Sequence, residues 1–150
     1  MAIIEERIRA LALSERDCLL LNEPELNALL VRLKPILAGT TSEADVVSFS
    51  IVDCDAEIVT NKLNSLGIQD QEVLACWPTF RAACRIKWDV LTKRLDDLWY
   101  PSSDDLIVTS LTSSWFMEIS HEEFVRFVPA VRSDSRQGNL PWRSPNPPIE

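Results

Sequence analysis

The densest chemistry in the chain lies in Asp96-Asp97-Leu98-Trp99-Tyr100-Pro101-Ser102-Ser103-Asp104-Asp105, two aspartate pairs around an aromatic-proline turn, with His121-Glu122-Glu123 further on. Carboxylates at that density suit two tasks. They can supply oxygen ligands to a hard divalent cation, or they can set up a negative field that steers a cationic partner onto neighbouring aromatic anchors. In the second reading Asp96, Asp97, Asp104, Asp105, Glu122 and Glu123 steer, and Trp99 and Tyr100 anchor. In the first, a hairpin gathers Asp104, Asp105, His121 and Glu122, with Glu123 beside them, into a metal site. One histidine without thiolates suits magnesium or manganese better than zinc, and the spacing matches no specific metal motif. A third reading needs no ligand: a helix end followed by a turn held by Ser102, Ser103 and Asp104.

Other chemistries find little support. Cys18, Cys54, Cys76 and Cys84 contain no C-x-x-C pair and lie far in sequence from the single histidine, which is neither a zinc nor a disulfide pattern. Beside apolar neighbours they read as buried, reduced thiols of a cytoplasmic protein. No nucleophile elbow surrounds the serines, and with 3 glycines in 150 residues no phosphate loop occurs. No cofactor is expected. The formal net charge of -8 disfavours phosphate backbones and anionic lipid and favours basic partners, so neither nucleic acid nor membrane is an expected partner. Glu5, Glu6, Arg7 and Arg9 interrupt the N-terminus before a signal-peptide core can form, and no apolar run is long enough to span a bilayer.

The elements that must position these residues follow from periodicity. Ile4, Ile8 and Leu11 share a helical face over residues 2–12. Glu23-Pro24-Glu25 opens a second helix striped by Leu26, Leu29, Leu30, Leu33 and Leu37, which Pro35 should kink or end early. After a polar connector at 39–43, Val47, Phe49 and Ile51 alternate with serines as a strand. Asp53 or Asp55 then caps a helix that Gly67 closes. A short buried strand is expected over 72–77, ending at the aromatic turn Trp77-Pro78-Thr79-Phe80. A helix is expected from Ala82, with Trp88, Leu91, Leu95 and Leu98 on one face and Pro101 beyond its end. Residues 106–111 and 115–120 form a hairpin, and Ser120-His121-Glu122-Glu123 matches a capping box for a short helix carrying Phe124, Val125 and Val128.

These elements predict an α+β or α/β domain over residues 1–131: a mixed sheet of about four strands, partly parallel, with a C-terminal hairpin and about five helices, the N-terminus helical. Residues 132–150, rich in proline and polar residues, read as an extended or disordered tail in which Trp142 is the one large anchor. Functionally the sequence points to a non-enzymatic module that binds a basic protein, such as an inhibitor or immunity-type antidote. A metal-dependent hydrolase and a structural or regulatory subunit are the alternatives, and the sequence does not fix the oligomeric state.

Overall fold

The computed structural model describes residues 2–37, 46–101 and 103–129. The expected connector at 39–43, Ser102 and the tail from 132 lie outside the described residues. Thirteen elements follow in chain order: α1 (Ala2–Ala10), β1 (Cys18–Leu20), α2 (Glu23–Leu37), β2 (Val47–Ser50), α3 (Ala56–Asn64), β3 (Glu72–Trp77), a 3-10 turn (Pro78–Phe80), β4 (Ala82–Lys87), α4 (Trp88–Lys93), α5 (Leu95–Leu98), β5 (Leu106–Ser110), β6 (Phe116–Ile119) and β7 (Phe124–Val128). The class is α+β, with one sheet of seven strands in the order β1-β4-β3-β5-β6-β7-β2. Every strand pair is antiparallel. The expected count of about four strands is therefore too low, and the expected parallel part is absent from the described sheet.

Both faces of the sheet are covered. On one, α2 lays Leu26, Leu29, Leu33 and Ile36 over Leu74, Cys76, Ala83, Ile107, Phe116 and Val128. On the other, Ile4, Ile8, Leu63, Trp88, Leu91, Leu95 and Leu98 from α1, α3, α4 and α5 pack on alternate residues of the same strands, among them Val73, Ala75, Trp77, Cys84 and Val108. A strand buried on both sides needs apolar residues at every position rather than every second one, which is why Val73 to Trp77 reads as an unbroken apolar run.

Three local signals decide differently from the sequence expectation. Pro78–Phe80 turns tightly, and Arg81 in the left-handed region (φ 49) sends the chain straight back, so Trp77 pairs with Ala82. Residues 82–87 are thus strand β4, with Ala82, Cys84 and Ile86 on one face and Ala83 on the other; helix begins only at Trp88 and is interrupted at Arg94. The apolar spacing of Trp88, Leu91, Leu95 and Leu98 holds across two short helices rather than one. Ser120 to Glu123 does not cap a helix. Glu123 adopts φ 62, its N–H bonds Ser120 O at 2.9 Å, and Ser120 N–H bonds Phe124 O at 2.9 Å, closing a tight turn. The β-branched and aromatic residues that follow then form β7, sending Val125 and Phe127 to one face. Finally β1, three residues long, carries too short a pattern to read and is held at the sheet edge by β4.

The helix starts follow cap chemistry. Asn22 and Glu25 exchange side-chain to backbone bonds of 2.9 Å each, a reciprocal capping box at the start of α2, and the helix runs on through Pro35 as far as Leu37. Of the two aspartates that could cap α3, Asp55 does so, accepting the Ile58 N–H at 2.9 Å. Leu29 of α2 is fully buried against the sheet. Its replacement by Ala should cost about 2–5 kcal/mol in denaturant unfolding, because neighbours on a stiff sheet close only partly over the void. A change below about 0.5 kcal/mol would show that α2 does not seal this face.

Candidate functional site: an acidic groove at the aromatic turn

The turn after α5 is organised by Asp104. Its carboxylate is completely buried and accepts from the Arg7 guanidinium of α1, from the Tyr100 N–H at 2.9 Å and from the Ser103 hydroxyl at 2.8 Å. Arg7 also donates to Leu98 O at 3.1 Å and stacks over the Tyr100 ring at 3.9 Å. Two of the buried indoles are tied to the same turn: Trp77 Nε1 donates to Leu98 O and Trp99 Nε1 to Asp104 O, each at 3.0 Å. Burial pushes the Asp104 carboxyl up. The Arg7, Tyr100 and Ser103 hydrogen bonds and the Arg7 charge outweigh it and hold the group below its ordinary 3.8.

The sequence candidates therefore separate. Asp104 and Trp99 sit inside the fold, where Asp104 already serves an internal cation. Asp105 lies at the surface and accepts from the His121 N–H at 2.7 Å and its ring Nδ1 at 2.9 Å. The hairpin thus brings Asp105 to His121 as the metal reading requires, but Asp104 faces the opposite way, into Arg7. Among the described residues no group of three or more His, Cys, Asp or Glu is placed to hold a metal ion. Asp97 is exposed, 3.8 Å from Arg94. Asp96 and Glu122 are exposed, Glu123 is half-buried, and Tyr100 is exposed enough to offer its ring.

Asp96, Trp99, Tyr100 and Glu123 line one groove of about 310 Å³. Its floor is apolar, made by the buried Ile51, Leu95 and Trp99 with Val59, and the half-buried Cys54 lies along it. Asp96 from α5 and Glu123 from the β6–β7 turn stand at the rim, and neither carboxylate has a hydrogen bond or ion pair with another described residue. A larger cleft of about 800 Å³ near Trp88 has most of its charges occupied: Asp70 accepts from Trp115 Nε1, Lys87 meets Asp17 at 3.2 Å, and Glu72 meets Arg85 at 3.8 Å, while the exposed Asp89 carboxylate has no such partner among the described residues. The smaller groove sets two such carboxylates, from separate elements, over a floor of buried apolar side chains.

Sequence reading missed Arg7, although the signal was there. Ile4, Arg7, Ile8 and Leu11 follow the spacing of one helical face, so a charge sits at a core position of α1 and calls for a buried counter-charge. The groove floor from Ile51 and Val59 had no such signal, since the β2–β7 pairing carries Ile51, and the packing of α3 on α4 carries Val59, beside the turn. The cysteine reading is met in part: Cys18, Cys76 and Cys84 are buried, and burial pushes the Cys76 thiol up to about 12.

Replacing Asp104 by Asn should cost about 3–5 kcal/mol at neutral pH, because the Arg7 charge stays buried without its counter-charge. The wild-type advantage should be complete above pH 3.8 and vanish as pH falls through the depressed folded value, a loss that acid-dependent unfolding of the two proteins would track. Equal stabilities at pH 7 would contradict the assignment. At the exposed pair, the Asp105 hydrogen bond and then its charge, with Glu122 adding, raise His121 above 6.5. Any stability this supplies is complete below 6.5 and lost as pH rises through the folded value. An NMR titration should show the raised value returning toward 6.5 in Asp105→Asn; an unchanged midpoint would mean that the pair does not form.

No family model matches the chain, and comparison with curated proteins and with solved structures gives no match either. Any functional reading has to come from the chemistry of the groove.

Proposed function

We propose that the chain is a non-enzymatic protein-interaction module that binds a basic protein through the face around this groove, as an inhibitor or immunity-type antidote does. The carrying observation is the apolar groove whose two rim carboxylates have no hydrogen bond or ion pair with another described residue. Unengaged charge beside exposed aromatic surface costs desolvation on binding unless the partner supplies the opposite charge, so the arrangement favours a cationic surface and rejects an anionic one. Asp97, Asp105 and Glu122 extend the negative field around the groove, and the net charge of -8 supports long-range attraction. Tyr100, its ring fixed by Arg7, is the anchor at the surface, while Trp99 supports it from below. Four unpaired thiols fit a reducing, cytoplasmic compartment. Among the described residues no helix is long and apolar enough to cross a membrane.

The test uses the immobilised chain to capture proteins from cell extract, followed by association kinetics with the purified captured protein. Exchanging Asp96, Asp97 and Glu122 for their amides should slow association about tenfold at low salt and much less at high salt, with dissociation little changed, since steering is screened over about 8 Å at physiological ionic strength. Capture that ignores salt, or an acidic captured protein, would overturn the reading.

A further inference from the structure

Resting on that reading, we infer that the groove is a receptor for one long cationic side chain, an arginine or lysine projecting from the basic partner. Such a side chain has two parts with opposite needs. Its methylene stem loses water favourably against apolar walls, and its head must end at unpaired anions or remain in water. The groove supplies both in order: Ile51, Leu95 and Trp99 are buried along the floor beside the half-buried Val59, and Asp96 and Glu123 stand at the rim with no hydrogen bond or ion pair to another described residue.

At about 310 Å³ the space lies at the bottom of the range for small-molecule pockets, roughly 300–1,000 Å³, and suits one side chain better than a folded cofactor. The Tyr100 ring is already held on one side by Arg7 at 3.9 Å, so the wall it presents is preorganised. Carboxylates from two separate elements give a head with several N–H donors more than one acceptor group, which a guanidinium or an ammonium can use. An anionic ligand meets the rim charges as repulsion.

Cys54 provides a direct readout. It lines the groove and is half-buried, whereas the other three cysteines are buried, so alkylation by iodoacetamide in the folded protein reports on the groove. The full chain is alkylated with and without capped tripeptides of the form Gly-X-Gly, and backbone amide shifts are recorded by NMR. With arginine or lysine at X, Cys54 alkylation should slow several-fold at saturating peptide, and the amides of Ile51, Asp96 and Tyr100 should shift. Citrulline keeps the stem but lacks the charge, and diaminopropionate keeps a charge on a short stem; neither should protect. In the variant combining Asp96→Asn with Glu123→Gln, the arginine and lysine peptides should bind about tenfold more weakly, as two exposed charge pairs allow.

Protection by citrulline equal to that by arginine would overturn the inference. So would equal protection by diaminopropionate, unchanged affinity in the variant, or no protection by any peptide. If peptides fail while salt-sensitive capture of a basic protein persists, the side-chain receptor falls and the wider function stands; if that capture fails as well, the wider reading falls with it.

Discussion

A buried guanidinium and a buried carboxylate, brought together from positions 97 residues apart, fix where the aromatic turn can sit. Removing charges from water is costly, and an ion pair in an interior recovers that cost only when the remaining hydrogen-bonding groups are also satisfied. Arg7 and Asp104 meet the condition. The carboxylate gains a backbone N–H and a hydroxyl, and the guanidinium gains the Leu98 carbonyl and the Tyr100 ring. Few other placements of the two segments would satisfy all these groups. The pair therefore acts as a registration device between α1 and the α5–β5 turn, a role that its geometry supports better than any large net contribution to stability.

The groove follows from that registration. α5 ends at Leu98, with Trp99 beneath the turn and Tyr100 above it, so the neighbouring Asp96 is set on the outer edge. The opposite edge comes from the far end of the sheet, where β2 pairs with β7 and Ile51 N–H bonds Glu123 O at 2.8 Å. Two non-glycine residues with positive φ, Asp53 and Glu123, flank this connection at 63° and 62°. Such conformations cost about 1–3 kcal/mol each and persist where surrounding contacts enforce them. Here they turn the chain abruptly at both strand ends, leaving Cys54 and Glu123 along the groove instead of continuing the ladder.

Much of the fold was legible where one periodicity ruled a segment. The Leu26, Leu29 and Leu33 stripe of α2, the strand β2, the apolar run of β3 and the β5–β6 hairpin read correctly, because burial acts on side chains whose spacing the backbone dictates; Leu37, expected in the stripe, is instead exposed and Ile36 is buried, and Val47 of β2 is exposed. Reading failed where a single backbone angle decided the outcome. Arg81 and Glu123 in left-handed conformations turn expected helices into β4 and β7, and neither residue type announces such an angle as glycine would. With those two strands misread, the antiparallel order could not be recovered. At the site, the acidic and aromatic residues were visible as a cluster. Their division into a buried keystone, a surface pair with His121 and a free rim was not, since it depends on Arg7 and on a sheet edge distant in sequence.

The claim on which this account stands is that Arg7 and Asp104 act as one unit, and a double-mutant cycle in denaturant unfolding tests it most directly. The single variants Arg7→Met and Asp104→Leu are compared with the combination at neutral pH. The account predicts that the combined change costs much less than the sum of the two, with a coupling of about 2 kcal/mol or more, because each single change strands a buried charge that the pair removes together. Additivity within about 0.5 kcal/mol would mean that the residues act independently, and would contradict the ion pair as the organiser of the turn.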